Sequence, residues 1–316
     1  MRNDAPGRPG LYIHIPFCIK KCLYCGFYST TDLSLIPDFL AGLRREAALY
    51  KDFQQEYDTV YIGGGTPSAL AAADLEGLLE AIRTAFAVSP DAEITLEANP
   101  GDLTPEMLAA LRQAGVNRLN IGCQSFDDAA LHLLGRRHRA REAASAIRMA
   151  RDAGFTNLGI DLLYGLPGPA EAAFSAWLAT LETALAFAPE HLSCYQLTIE
   201  AGTPLARSQE RGECSLPGSD LQARYFFRTA EMLETAGYEQ YEVSNFARAA
   251  PFQSRHNAKY WRHVPYLGLG PAAHSFDGSL RRWNHRSLGD FLADLAAGKP
   301  PVAAGARLSR EELRLE

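Results

Sequence analysis

Strand-like and helix-like segments alternate along the chain from residue 11 to about residue 200. Short apolar runs bounded by turn residues predict strands, and Thr104-Pro105-Glu106 shows how a capping hydroxyl and a proline open an intervening helix. Strands joined by helical crossovers pair in parallel, so the series predicts an α/β fold, either an open partial barrel or a doubly wound sheet. The predicted strands are 11–15, 58–62, 93–98, 118–122, 157–163 and 192–199, and a further short strand is predicted around 238–243.

Polar residues interrupt these apolar strands at or near their carboxyl ends. They are Glu97, Gln124, Asp161 and the pair Tyr195-Gln196. Each taken singly can be a loop anchor or a helix cap. Together they predict a binding site, because barrels and open α/β sheets bind their ligands at the carboxyl edge of the strands.

Cys18, Cys22 and Cys25 follow the first predicted strand with the spacing C-x3-C-x2-C. Three thiolates on one loop can hold three corners of a [4Fe-4S] cluster and leave the fourth iron open. A zinc site is one alternative, although only His14 is near enough in sequence to complete its four ligands. A disulfide is another, but it leaves an odd cysteine. Three further cysteines are isolated and are expected to be small buried apolar residues: Cys123, Cys194 and Cys214.

The run Gly63-Gly64-Gly65-Thr66-Pro67 follows the second predicted strand. Glycines let a backbone approach a ligand closely and leave its polar groups accessible. The run lacks the Gly-Lys-Ser/Thr of a P-loop and is not a dinucleotide-binding fingerprint. It therefore predicts either a tight turn or a ligand contact at the strand edge.

Composition and charge limit the classes of protein to which this chain can belong. The chain has 316 residues, a formal charge of −6 and a pI near 5.8, which gives no reason to expect a nucleic-acid partner. Its first residues lack the apolar core of a secretory signal, and no run of about 18 apolar residues predicts an integral membrane segment. We therefore expect a cytoplasmic protein, in a compartment that keeps thiols reduced.

The cysteine motif together with the glycine run resembles the radical S-adenosylmethionine (SAM) superfamily. The resemblance implies a [4Fe-4S] cluster whose open iron is chelated by the amino and carboxylate groups of SAM, and electron donation that yields a 5′-deoxyadenosyl radical. Tyr24, just before the third cysteine, stands where the superfamily places an aromatic residue near adenine.

Within that superfamily, the run from Tyr12 to Cys18 and the strand-end residues resemble the oxygen-independent coproporphyrinogen III oxidase family, over residues 11 to 308. This implies a partial (β/α)6 TIM-like barrel over 8–202, a C-terminal α+β extension over 203–308, and at 309–316 the start of a domain that we expect to be truncated. Tyr195 and His274 fall at further contact positions but differ in residue type. The residues that match SAM-binding positions are Tyr12, Gly64, Gly65, Thr66, Glu97, Gln124, Arg136 and Asp161.

Two departures from the oxidase favour another branch of that family, the HemW-type heme chaperones. Phe27 stands where the oxidase has a fourth cysteine, and only 17 residues precede Cys18. The motif His256-Asn257-x-x-Tyr260-Trp261 also resembles that branch, which implies heme, heme-receiving target proteins and an electron donor. His256 is then a heme ligand, with Tyr260 and Trp261 as an aromatic wall for the porphyrin.

Several alternatives stay open at this point. His256 can instead be a histidine held by a hydrogen bond in a loop. The protein can be an oxidase that decarboxylates porphyrin propionates, a related two-SAM radical methylase, or a zinc-stabilised scaffold. Whether the chain is an enzyme stays open, but we expect no coproporphyrinogen III dehydrogenase activity, because Phe27 replaces the fourth cysteine.

Overall fold

The computed structural model describes residues 7–51, 56–309 and 311–315. Residues 1–6, which bear on the expected absence of a signal, and residues 310 and 316 of the predicted terminal segment lie outside this part. The first six β-α units are β1 Gly10–Ile15, α1 Ile36–Leu49, β2 Tyr57–Gly64, α2 Ala72–Ala85, β3 Val88–Ala98, α3 Pro105–Gln113, β4 Arg118–Gln124, α4 Asp128–Leu133, α5 Ala140–Asp152, β5 Leu158–Tyr164, α6 Ala170–Ala186 and β6 His191–Gln196.

The six strands β1 to β6 lie side by side in chain order and are all parallel. The predicted α/β fold is confirmed, and the open sheet of six β-α units is a partial barrel. The two largest differences from the prediction are at strand ends. β3 begins at Val88, ahead of residue 93, and β6 ends at Gln196, where the N–H of Leu197 donates to the carbonyl of Tyr164 at the end of β5.

The C-terminal part lengthens this sheet at both edges. β9 pairs in parallel with β1, and β8 pairs antiparallel with β6. Among the described residues, none of the helices is both long and apolar enough to span a bilayer. The elements are α7 Pro204–Glu210, α8 Ser219–Thr235, β7 Glu239–Gln240, β8 Asn245–Ala247, α9 Arg255–Trp261, β9 Tyr266–Leu269, β10 His274–Phe276, β11 Leu280–Asn284, α10 Leu288–Ala296, β12 Val302–Arg307 and α11 Glu312–Leu315.

One strand in this part is shorter than predicted. The segment 238–243 was expected to be one strand, but only Glu239–Gln240 pairs with a neighbour. The chain reverses immediately afterwards, and the N–H of Tyr241 donates to the carbonyl of Asn245 at 3.1 Å. The residues after Gln240 therefore form a turn instead of continuing the strand.

The two faces of the central sheet differ in polarity. Because side chains alternate along a strand, each strand sends its aliphatic residues to one face and its polar residues to the other. Leu11, Ile13 and Ile15 of β1 are fully buried in the main apolar cluster with the outer helices. The opposite, interior face carries polar residues that the strand register places beside one another: Tyr12, Thr59, Tyr61, Glu93, Thr95, Glu97, Arg118, Asn120, Asp161, His191 and Ser193.

Glu46 links helix α1 to the C-terminal part of the chain by hydrogen bonds. It is fully buried, and its carboxyl group accepts hydrogen bonds from the N–H of Gly270 at 2.7 Å and from Asn284 Nδ2 at 2.6 Å. Burial raises the pKa of Glu46 to about 8, although both hydrogen bonds oppose that rise. A buried carboxyl group thus joins α1 to the loop after β9 and to β11.

Candidate functional site

The cysteine loop leaves β1 at the carboxyl edge of the sheet and is held by backbone and side-chain contacts. The N–H of Cys18 donates to the carbonyl of Thr30 at 3.0 Å. Cys18 Sγ accepts a hydrogen bond from Thr66 Oγ1 at 3.3 Å, and Cys22 Sγ accepts one from Arg136 Nη1 at 3.2 Å. Two of the three thiols are therefore positioned by residues that follow β2 and β4.

The donor set fits a cluster better than a single ion. All six cysteines are free thiols, and no three His, Cys, Asp or Glu side chains among the described residues converge on one ion. Zinc needs four ligands about one point, whereas each cysteine of a [4Fe-4S] cluster bonds a different iron. His14, the candidate fourth zinc ligand, is engaged by the Tyr12 hydroxyl at 3.1 Å and by the carbonyl of Tyr28 at 3.1 Å.

Charge repulsion among the cysteines supports the same conclusion. Burial raises the pKa of the Cys25 thiol, and the neighbouring Cys22 and Cys18 act in the same direction. Three thiolates on one loop repel one another unless cations bind between them. The residues present therefore fit a cationic iron-sulfur group.

The glycine run packs directly against the cysteine loop. The N–H of Gly65 donates to the carbonyl of Ile15 at 2.8 Å, and the N–H of Thr66 donates to the carbonyl of Phe17 at 2.7 Å. Gly64 has a φ of 107°, and a Cβ there would overlap the ring of His14. The tight-turn interpretation thus accounts for the glycines, and these backbone N–H groups are already used within the protein.

Glu97 lies at the centre of the strand edge. Its two carboxyl oxygens accept hydrogen bonds from Tyr61 Oη at 2.7 Å and from the N–H of Gly64 at 3.1 Å. Burial raises the pKa of Glu97 to about 7, and the charge of Asp161 adds to the rise. Glu97 is therefore a half-buried carboxyl group whose pKa lies near neutrality.

Asp161, Arg136 and Gln124 complete this edge. Asp161 accepts a hydrogen bond from Asn120 Nδ2 at 2.6 Å, while Arg136 Nη2 donates to the carbonyl of Gly122 at 2.6 Å. Gln124 ends β4 in the left-handed region with a φ of 67°, and a Cβ at Gly122 would lie 3.0 Å from Gln124 Nε2 and 3.5 Å from Arg136 Nη2. Gly122 thus leaves room for both side chains.

Tyr24 and Tyr195 flank this arrangement, whereas His274 packs elsewhere, against Trp283. Burial raises the pKa of Tyr24, and the Arg136 guanidinium opposes that rise. Tyr195 is near the end of β6 and is 38% exposed. His274 begins β10 and stacks on Trp283 with the ring centroids 5.7 Å apart.

His256 lies at the other end of the barrel. It is 1% exposed, its Nδ1 lies 2.8 Å from Thr59 Oγ1, and its Nε2 lies 2.9 Å from the Tyr260 hydroxyl. Its backbone N–H donates to Glu93, and burial lowers the pKa of its ring to about 3. Both ring nitrogens are engaged, which favours the interpretation of His256 as a hydrogen-bonded structural residue. Trp261 of the same motif is 45% exposed.

Three candidate functional residues were not predicted from the sequence. Tyr61, Arg118 and Asn120 lie on the interior face beside Glu97 and Asp161. The available signal was a polar residue at every second position of strands that otherwise are apolar, as in Arg118-Leu119-Asn120-Ile121.

Comparisons with known proteins agree with this geometry. The model of the Radical SAM superfamily matches residues 12–181. The heme chaperone HemW of Mycobacterium tuberculosis is 38% identical over 318 residues, which cover 98% of this chain and 80% of that protein. The heme chaperone HemW of Bacillus subtilis is 36% identical over 292 residues, 91% of this chain and 76% of that protein.

A solved structure shows the same architecture. Coproporphyrinogen III oxidase (HemN) from Escherichia coli, a radical SAM enzyme, superposes with a TM-score of 0.83 and 27% identity, covering 97% of this chain and 74% of the other. Membership of the superfamily implies a [4Fe-4S] cluster and SAM as cofactors. The chain belongs to the radical SAM superfamily and, within it, to the family of the heme chaperone HemW.

Proposed function

We propose that this protein is a heme chaperone that binds a [4Fe-4S] cluster, SAM and heme and delivers the heme to target proteins in the cytoplasm. One observation carries the proposal: relatives named as heme chaperones match 98% of this chain at 38% identity. The proposed regions are the core at 8–202 and the extension at 203–308. An electron donor is part of the proposal, because a reducible cluster needs a source of electrons.

Cys18, Cys22 and Cys25 hold the cluster in this proposal. The chemistry that such a cluster supplies is one-electron reduction of the SAM sulfonium. Arg136 compensates thiolate charge at Cys22, to which it donates at 3.2 Å, and the neutral Thr66 hydroxyl donates a hydrogen bond to Cys18. SAM contacts are assigned to Tyr12, Tyr24, Gly64, Gly65, Thr66, Glu97, Gln124, Arg136 and Asp161.

Glu97 and Asp161 are suited to the sugar of SAM. An ionised carboxylate accepts hydrogen bonds from two neighbouring hydroxyl groups, and both carboxylates face the barrel interior at the strand edge. Asp161 Oδ1 is buried and has no hydrogen-bond partner among the described residues, so it is available to a ligand hydroxyl.

Heme is assigned to the motif of His256, Tyr260 and Trp261. Because both ring nitrogens of His256 are engaged, coordination of heme iron by this residue requires α9 to move and the Thr59 or Tyr260 contact to open. Trp261 is exposed and can contact a porphyrin face without such a movement.

An oxidase acting on porphyrin propionates is the second candidate, since the oxidase structure superposes over 97% of this chain. Phe27 stands where that family carries a further cysteine, and it is 70% exposed beside the cysteine loop. We therefore expect reconstituted protein, incubated anaerobically with SAM, reductant and coproporphyrinogen III, to form no protoporphyrinogen IX. Formation of that product would overturn the chaperone proposal.

Heme binding is tested by titration of wild type, Trp261→Ala, His256→Ala and the control Phe227→Ala, which removes an aromatic side chain that is 68% exposed on α8. We expect Trp261→Ala to weaken heme binding about tenfold and Phe227→Ala to leave it unchanged. A Soret spectrum identical in wild type and His256→Ala would remove His256 as an iron ligand. Absence of heme binding by wild type would refute the proposed function.

A further inference from the structure

Arg118 of β4 is a buried cation on the interior face of the barrel. Its side chain is 1% exposed and is among the largest fully buried side chains of the described chain. The register pairs Arg118 with Thr95 and pairs the next interior residue, Asn120, with Glu97. Gly159 on β5 leaves space for it, because a Cβ there would lie 3.3 Å from Arg118 Nη2 and would overlap Asn120 Oδ1.

The hydrogen bonds of Arg118 do not explain its burial. Its Nε and Nη1 atoms are buried and have no hydrogen-bond partner among the described residues. A guanidinium taken out of water costs several kcal/mol unless opposite charge lies near. Three carboxyl groups share the interior face, the buried Glu93 and the half-buried Glu97 and Asp161. Their hydrogen-bond donors are neutral groups, namely Tyr61, Gly64, Asn120, Ser193 and the backbone N–H of His256.

The charges around Glu97 have opposing effects. Burial and the charge of Asp161 raise the pKa of Glu97, whereas the Tyr61 and Gly64 hydrogen bonds and the positive charge of Arg118 lower it. The tyrosines around it stay neutral, since burial raises the pKa of each. The titratable groups that face Glu97 are Tyr12 of β1, Tyr61 of β2, Arg118 of β4, Asp161 of β5, Tyr195 of β6 and Tyr260 of α9.

We propose that Arg118 is a positioning residue whose charge favours the ionised form of Glu97 and thereby sets the pH range in which the site binds SAM. The inference rests on the proposed role of Glu97 as a SAM contact. Only the carboxylate accepts two hydrogen bonds from a ligand's hydroxyl groups while it keeps those from Tyr61 and Gly64. Loss of the Arg118 charge shifts the Glu97 equilibrium toward the neutral acid, which carries a proton in the place of one acceptor.

The test compares wild type with Arg118→Met, Arg118→Lys and Glu97→Gln, all carrying the reconstituted cluster, by equilibrium SAM binding between pH 6 and pH 9.5. We expect the acid-side decline of binding in Arg118→Met to move up by about one pH unit or more. Its affinity is then about tenfold weaker on the acid side of the transition and close to wild type at the alkaline end. Arg118→Lys keeps the wild-type profile, and Glu97→Gln loses this transition.

Thr95→Val is the matched control, because Thr95 faces Arg118 across the β3–β4 pairing and its hydroxyl has no partner among the described residues. It changes interior packing without changing charge, so its pH profile stays that of wild type. An unshifted profile in Arg118→Met overturns the inference. If Arg118→Met does not fold, Arg118→Gln is measured instead, and the same two outcomes decide.

A second readout separates this inference from the proposed function. The carboxyl band of Glu97, identified in infrared spectra as the band missing from Glu97→Gln, is titrated without SAM. We expect its midpoint to rise by about one pH unit in Arg118→Met. An unmoved midpoint refutes the role of Arg118 even if wild type binds SAM, whereas a shifted midpoint without SAM binding refutes the proposed function alone.

Discussion

Gly64 shows at the scale of one residue why the site needs its glycine run. Its φ of 107° is unfavourable for any residue with a side chain, and a Cβ would overlap the ring of His14. Its N–H also donates to Glu97. Gly64 therefore adopts the required backbone conformation, leaves space for the ring of His14 and orients the carboxyl group of Glu97.

We predict that Gly64→Ala lowers the free energy of unfolding by about 3 kcal/mol or more, because backbone strain of about 1–3 kcal/mol adds to the overlap with His14. Gly154→Ala is the control. Gly154 has a φ of 85°, but no atom lies within 4 Å of a Cβ there, so only the backbone cost of about 1 kcal/mol is expected. Chemical denaturation measures both, and equal losses would contradict the proposed overlap.

The cysteines allow a second test at the same scale. We predict that Cys22→Ala abolishes the visible absorption of a [4Fe-4S] cluster after anaerobic reconstitution, since two remaining thiolates leave two irons without protein ligands. Cys214→Ala, which removes a half-buried cysteine distant in sequence from the loop, retains it. A cluster spectrum that survives in Cys22→Ala would exclude this residue as a ligand.

Among the elements, α1 has a contact that depends on protonation. Glu46 is fully buried between Gly270 and Asn284, and its pKa in the folded protein is raised to about 8 against about 4.3 for an unfolded chain. Between these values the folded state binds a proton that the unfolded state has released. The contribution of Glu46 to stability is therefore fully present below pH 4 and is lost as pH rises to 8.

We predict that the free energy of unfolding of wild type falls as pH rises from 5 to 8, with a contribution from Glu46 of up to about 1.4 kcal/mol per pH unit. Glu46→Gln removes this slope, because the amide does not titrate. Glu80→Gln, on the exposed side of α2, keeps it. Urea denaturation at a series of pH values provides the measurement, and parallel curves for wild type and Glu46→Gln would refute the assignment.

All strands of the described residues belong to one continuous sheet, so the C-terminal strands extend the barrel. β9 extends the barrel beside β1, β8 covers β6, and His256 of α9 contacts Thr59 inside the amino end of the barrel. The core region proposed from the resemblance, 8–202, thus takes backbone pairing and interior hydrogen bonds from residues beyond its boundary.

We predict that a fragment of residues 8–202 does not unfold cooperatively, whereas the full chain does. In the fragment, the edges of β1 and β6 would be unpaired and the amino end of the barrel would be open. Exposed strand edges of this kind favour aggregation. Circular dichroism with thermal unfolding compares the two proteins. A sharp transition in the fragment, at a temperature near that of the full chain, would instead establish 8–202 as an autonomous domain.

Much of the architecture was predictable from local sequence. The six β-α units and the cysteine loop depend on apolar runs, caps and short spacings, which act over a few residues. The strand predicted around 238–243 is shorter in the structure, because the chain turns after Gln240. Arg118, Asn120 and Tyr61 were missed because their importance comes from neighbours on other strands.

Local sequence patterns are enough to predict the order of the β-α units, the three thiols on one loop and their position at the carboxyl edge of β1. Three contacts became visible only in the folded chain: His256 is enclosed between Thr59 and Tyr260, Glu46 joins α1 to β11, and Arg118 shares an interior face with Glu97. The two kinds of information differ in the distance along the chain over which they act. Strand and loop signals act between near neighbours, whereas burial and charge depend on residues that only the folded chain brings together.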